Sequence, residues 1–247
     1  MSRARFGAVL LALLVLVLLV TAPARLLASL LPESSVRMSG YSGTVWRGSA
    51  ASAAIAVDSG WLQLGQLDWD LSVLSLLLLT PRADIESSWG QQTLVADIAL
   101  SPGGAVRLRD SQVRFSAALI QQFLPVQLSG SLDALINDLR LEQGRPTAGE
   151  GRVVWQRAFW RGVRGSQPLG DYVLEFEVPA PMRVQAQVST LSGPVKIEGT
   201  LGIEGNSYQV DVSLNSERGF DSELASALQL MAAPIEGGYQ LKFGAEF

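Results

Sequence analysis

Two periodicities of apolar and polar positions divide the chain. Phe6 to Val20 is an unbroken apolar run, and Thr21 to Ala24 extend it to nineteen uncharged residues behind Arg3 and Arg5. No polar face interrupts it, unlike a helix lying on a protein surface. As a helix it would span about 28 Å, close to the hydrocarbon thickness of a bilayer. Arginines ahead of the run and a polar body behind it predict a cytoplasmic tail at 1–5 and a transmembrane anchor at 6–24. The helix continues to about 31 in this reading, and the body, 33–247, lies across the membrane. Ala22-Pro23-Ala24 also resembles a small-residue cleavage site, so a removed signal peptide is the competing reading. The length of the run, prolonged by Leu26 to Leu31, favours an uncleaved anchor.

After Pro32 the period becomes two. Leu67, Trp69, Leu71 and Val73 alternate with Asp68, Asp70 and Ser72, which describes a strand with one apolar and one solvated face. The alternation returns at Leu94–Leu100, Tyr172–Val178, Met182–Val188, Val195–Ile197, Tyr208–Leu214 and Tyr239–Phe243. Turn formers separate these runs: Ser101 to Gly104, Gly130-Ser131, Gly144 to Gly151, Ser192-Gly193-Pro194 and Gly205-Asn206-Ser207. Short connections favour antiparallel neighbours. The chain is therefore expected to be mainly β, an N-terminal transmembrane helix followed by one antiparallel β-sheet domain, whether a curved sheet, a sandwich or a groove. Two short helices interrupt it. Ser116 to Leu124 carries Leu119, Ile120, Phe123 and Leu124 at helical spacing before Pro125. Asp221 to Ala233 carries Leu224, Leu228 and Met231 on one side, with Asp221 or Ser222 as its cap. Both are expected to cover a sheet end or edge.

Composition narrows the chemistry. The 247 residues include no Cys and no His, which removes thiol and imidazole nucleophiles, bases and metal ligands together. A lack of Cys suits a protein outside the cytoplasm. The net charge of −4 argues against nucleic-acid binding. Asp68 and Asp70, like Glu175 and Glu177, read as the wet face of a strand. Lys196 and Lys242 are the two lysines, both in solvated strand positions. Gly40, Gly43 and Gly48 make no phosphate loop, since no Lys-Ser/Thr follows. No catalytic residue, cofactor or metal site is expected. One cluster stands out: six arginines between Arg140 and Arg164, interleaved with Val153-Val154-Trp155 and Phe159-Trp160. Arg152, Arg157, Trp160, Arg161 and Arg164 are candidate contacts for a protein partner or for anionic headgroups; the plainer reading is a solvated hairpin.

Ordered local motifs carry a resemblance. Gly43-Thr44-Val45-Trp46-Arg47-Gly48 precedes Leu64-Gly65-Gln66-Leu67-Asp68-Trp69-Asp70-Leu71, followed by Leu128-Ser129-Gly130-Ser131-Leu132, Gly151-Arg152-Val153-Val154-Trp155 and Pro168-Leu169-Gly170. Over nearly its whole length the chain resembles the type II secretion system protein N family. That resemblance implies a bitopic inner-membrane protein with a periplasmic domain, other secretion subunits as partners, and no catalytic residues. Its motif positions Gly43, Thr44, Trp46, Gly48, Trp69, Gly130, Trp155 and Gly170 are expected to be structural. Trp46 and Trp69 would fill a core between sheet layers, and the glycines would allow bulges or close approach. The family is also distantly similar to membrane-anchored β-groove proteins of the AsmA type, which adds a lipid-handling groove as the alternative. An outer-membrane β-barrel is a third reading, resting on the alternation of Tyr239, Leu241, Phe243, Ala245 and Phe247; short strands and interrupting helices speak against it. For the anchor, reporter fusions at Pro32 and at the C-terminus are both expected to report the far side of the membrane. The mature protein should keep its N-terminus, and one mapped to Arg25 would overturn the anchor.

Overall fold

Alternating segments joined by short turns pair most readily with their sequence neighbours, and the computed structural model of the chain follows that rule. It describes residues 3–30, 32, 34–57, 60–77, 79–118, 127–162 and 166–246. The chain divides into two units, Met1–Gly90 and Gln91–Phe247.

The first unit opens with helix α1 (Arg3–Val20). A 3-10 turn (Ala24–Leu26) and the single turn α2 (Leu27–Leu30) follow, then strands β1 (Val36–Gly43), β2 (Arg47–Val57) and β3 (Gly60–Leu71). Helix α3 (Val73–Leu77) and strand β4 (Arg82–Trp89) complete it. The four strands pair antiparallel in chain order. Helix α1 stops four residues short of Ala24, because Pro23 is extended (φ −72°, ψ 145°) and bridges Thr44. Among the described residues, no helix is long and apolar enough to cross a membrane. Val73, expected in a strand, instead opens α3, where the buried Ser75 hydroxyl donates to the Ser72 carbonyl (2.5 Å) and accepts from the Arg82 N–H (2.9 Å).

The second unit is a meander: β5 (Gln92–Leu100), β6 (Val106–Ser116), β7 (Leu128–Glu142), β8 (Arg145–Arg161), β9 (Ser166–Ala180), β10 (Arg183–Ser192), β11 (Val195–Glu204) and β12 (Ser207–Ser216). Helix α4 (Ser222–Met231) leads to β13 (Ala233–Ile235) and β14 (Gly238–Glu246), which reverses the order at the edge to β12-β14-β13. The ladder thus ends in an open edge where a closed barrel would have a paired strand. Two expected turns lie inside strands. Gly130-Ser131 belongs to β7, and of Gly144 to Gly151 only Gly144 turns the chain, with Gln143, at positive φ (53° and 78°) between the paired residues Glu142 and Arg145. The helix expected from Ser116 lies, over 119–124, outside the described residues. Helix α4 forms as expected, its cap Asp221 accepting the Glu223 N–H at 2.9 Å.

Register sorts the side chains. Gly151, Phe176, Ala186, Leu201, Val210 and Phe243 stand opposite one another across β8 to β12 and β14. Their chain neighbours Arg152, Glu175, Gln187, Thr200, Asp211 and Lys242 form a parallel row pointing to the other face. No second sheet layer covers the apolar face among the described residues. Helix α4 closes one end of it: Leu224 packs with Ala158, Leu169, Tyr172 and Val195, and Leu228 and Phe220 join the rim. In the first unit the small core is Ala24, Ala50 and Trp69, with Leu27, Met38, Tyr41, Leu67 and Leu71 around it. Trp69 is 7% exposed there, so Trp69→Ala is expected to cost about 3–5 kcal/mol. Thermal melting of the purified chain measures it, and an unchanged melting temperature would contradict this packing.

Candidate functional site

The family-like motifs form two structural knots, one in each unit, and the second unit carries an open cavity. The first knot is the β1–β2 turn. Thr44 N–H donates to the Arg47 carbonyl (2.9 Å), and Thr44 Oγ1 accepts the Arg47 N–H (3.1 Å), which closes the turn with its own side chain. Gly43 pairs with Gly48, and Gly43 has φ +81°, a conformation other residues rarely adopt. Gly48 faces Trp69 across the β2–β3 ladder; a Cβ there would lie 2.7 Å from the Trp69 ring and as close to the Ser42 and Thr44 carbonyls. The Trp69 indole N–H then reaches over to the Val45 carbonyl (3.0 Å).

The second tryptophan of the pair works differently from the expectation. Trp46 is half-buried and outside the core; its indole N–H donates to the carbonyl of Leu19 at 2.8 Å. The last carbonyls of a helix have no partner within it. Trp46, the Thr21 hydroxyl on Val17 (2.7 Å) and the Thr21 N–H on Val17 (2.9 Å) satisfy two of them at the end of α1. Val45 N–H on the Ala22 carbonyl (2.9 Å) continues the seam. The motif is thus the piece of sheet that grips the end of the N-terminal helix. Arg47 and Asp70 add an exposed ion pair beside it, of small energetic weight.

The second knot joins β7, β8 and β9. Gly130 (φ +127°) leaves room for the Trp155 indole, which donates to the Ser129 carbonyl at 3.2 Å and lies 5.8 Å from the Tyr172 ring. Gly170 (φ +143°) abuts Ser192 and Gly193 on the next strand. Between them β8 bulges at Arg157, whose φ is 49°. A bulge frees a backbone N–H, and Asp171 accepts it at 2.6 Å while taking the Ser192 hydroxyl at 2.7 Å. These two bonds hold the Asp171 carboxyl below its usual range, the Arg157 N–H contributing most. Burial pushes the Tyr172 phenol far above its usual value, with the Asp171 charge adding to it; its hydroxyl donates to the Val195 carbonyl at 3.0 Å. Sequence reading missed Asp171, although it directly follows the Pro-Leu-Gly motif.

The arginine-rich stretch does not gather into one patch. Arg152 and Arg161 are nine residues apart on one strand, about 30 Å. Arg157 sits on the bulge, Trp160 packs against the α4 cluster, and Arg164 lies outside the described residues. Arg152 alone of these lines the open cavity of about 1380 Å³. Residues from both faces of the sheet line that cavity. Its lining from β8 to β14 consists of two charged and polar rows, Glu150, Glu177, Gln185 and Gln209 in one and Arg152, Glu175, Gln187, Asp211 and Lys242 in the other, with the apolar row contributing from between them. Asp68 and Asp70 do meet Glu86 and Asp84 across β3 and β4. Among the described residues, no group of three or more acidic side chains is arranged to hold a metal ion.

For Asp171 the sign follows from its lowered pKa. The stabilisation is full above the unfolded value of about 3.9 and fades as pH falls through the lower folded value. Asp171→Asn is therefore expected to melt below the wild type near neutral pH, with the gap narrowing as pH drops below about 4. Thermal melting across pH tests this, and a gap that does not change with pH would contradict it.

Comparison with known proteins follows the motifs. The family described as type II secretion system (T2SS), protein N, matches residues 34–242. The chain is 28% identical over 230 residues to the type II secretion system protein N of Vibrio cholerae serotype O1, covering 86% of this chain and 85% of that protein. It is 27% identical over 239 residues to the type II secretion system protein N of Aeromonas hydrophila, covering 92% and 91%. No solved structure gives a significant match. With the family matched across both knots and the cavity between Leu135 and Lys242, the chain belongs to the type II secretion system protein N family.

Proposed function

We propose that this chain is an inner-membrane accessory of type II secretion that supports export of folded proteins across the outer membrane by periplasmic protein contacts, without catalysis. Residues 6–24 would be the anchor, with the N-terminus cytoplasmic. The exposed leucines and valines from Leu10 to Val20 support that role, as does the grip of Trp46 on the end of α1, which would fix the sheet to its anchor. The observation that carries the reading is the polar cavity. Contacts with another protein need a surface rich in hydrogen-bonding and charged groups at its rim. An acyl-chain carrier needs an apolar lining instead, and Glu150, Glu175, Glu177 and Gln185 line this one. The lipid-handling alternative would use the apolar row, where Ile203 and the cavity-lining Phe243 are about 40% exposed.

Deletion of the gene is expected to leave folded secretion substrate in the periplasm, and the wild-type chain to restore release. A photoreactive residue at Gln187, inside the cavity, should yield protein-sized adducts in cells, reduced by Arg152→Glu. Phospholipid adducts at that position, or full secretion in the deletion strain, would reject the proposal.

A further inference from the structure

The last strand offers an edge that no described strand completes. β13 pairs only with Gly238, Tyr239 and Gln240 of β14. Beyond that point β14 has β12 on one side and no described strand on the other. Its residues become exposed where the cover stops: Gly238 to Leu241 are half-buried, and Lys242 to Glu246 are open.

The orientation of the free backbone groups follows from the hairpin. Pro234 has no N–H and stands opposite Tyr239, so the hydrogen-bonded pairs of β13 and β14 are those on either side, at Gly238 and Gln240. Odd-numbered positions point the other way, as the Gly237 carbonyl does in accepting the Ser216 N–H. By this alternation Lys242, Gly244 and Glu246 aim their N–H and C=O groups at the empty side. Long free edges are usually blunted, often by a lysine. Here the lysine is followed, four residues on and on the same face, by a glutamate.

We propose that this edge pairs with the same edge of a second copy, antiparallel about a two-fold axis at Gly244. In that register Lys242, which already pairs with Asp211 of its own chain at 3.1 Å, stands opposite Glu246 of the second copy, and Glu246 opposite its Lys242, so Glu246 gains a cation partner on each side of the axis. On the other face Phe243 stands opposite Ala245 of the second copy, a large residue against a small one. Phe243 is already held in place by an edge-to-face contact with Tyr208, 6.2 Å between centroids. Gly244 puts no side chain on the axis. Both members of each even-numbered pair carry outward backbone groups, so the ladder forms about six hydrogen bonds. Self-complementarity of this kind is what a two-fold interface requires. The pairing has a consequence for the cavity, whose lining ends at Lys242, Phe243 and Gly244. A second sheet joined there extends both faces across two copies.

The natural chain contains no cysteine, so single cysteines report register cleanly. Full-length chains carrying Phe243→Cys or Ala245→Cys, purified in mild detergent, are mixed and oxidised. Directly opposed non-hydrogen-bonded positions are about 4.5 Å apart between Cα atoms, within disulfide reach. The mixture is expected to form disulfide dimers, and each variant alone far fewer. Sedimentation should show a concentration-dependent dimer, weakened about tenfold by Glu246→Lys, which sets like charges opposite each other, and regained when Lys242→Glu is added. Melting of the variants checks that each is folded. A chain that stays monomeric, crosslinks indifferent to position, a folded Glu246→Lys variant that dimerises like the wild type, or an Ala245→Cys chain captured in cells by a different protein would each overturn the proposal.

Discussion

Hydrogen bonding between strands adjacent in sequence is the constraint on which this protein rests. Each strand of the second unit from β6 to β11 pairs with the strands before and after it, and no second layer packs on them among the described residues. A single layer has no facing sheet to bury an apolar surface, so most buried hydrophobic residues are small alanines and the two packed clusters are modest. Stability must then come from ladder bonds, cross-strand pairs and local covers such as α4. The same constraint sets the faces: one residue of slip would exchange the Phe176 row for the Glu175 row along the whole ladder.

Register shifts interrupt several of these ladders, and the one at Arg157 is stabilised locally. The bulge at Arg157 has its free N–H caught by Asp171. The widest aromatic side chains sit over glycines of the neighbouring strand, Trp69 over Gly48 and Trp155 over Gly130, so ring and backbone pack where two side chains would collide. The family motifs are these points. Two of them need a glycine on one strand and an indole on the next, and Gly170 instead sits against the backbone of Ser192 and Gly193.

Much of this was present in the sequence. Period-two alternation determined the β class, the antiparallel order, the strands around Leu94, Tyr172, Tyr208 and Tyr239, and which residues share a face, because side-chain direction alternates whatever the strand's neighbours. Asp221 and the spacing of Leu224 and Leu228 determined α4, and the missing His and Cys limited the chemistry. Tertiary structure decided the rest. Glycine marks a turn in isolation, yet Gly130, Gly149 and Gly151 lie in strands because an adjacent ring or backbone fills the space a Cβ would take. Trp46 left the expected core because its indole N–H reaches the Leu19 carbonyl at the end of helix α1, which the Ala22 N–H meets only at 3.3 Å. The arginines of β8 were separated by the extended geometry of a strand that composition alone could not place. The cavity was likewise invisible along the chain: alternation defines two faces, and only the pairing of seven strands brings residues of both around one open space.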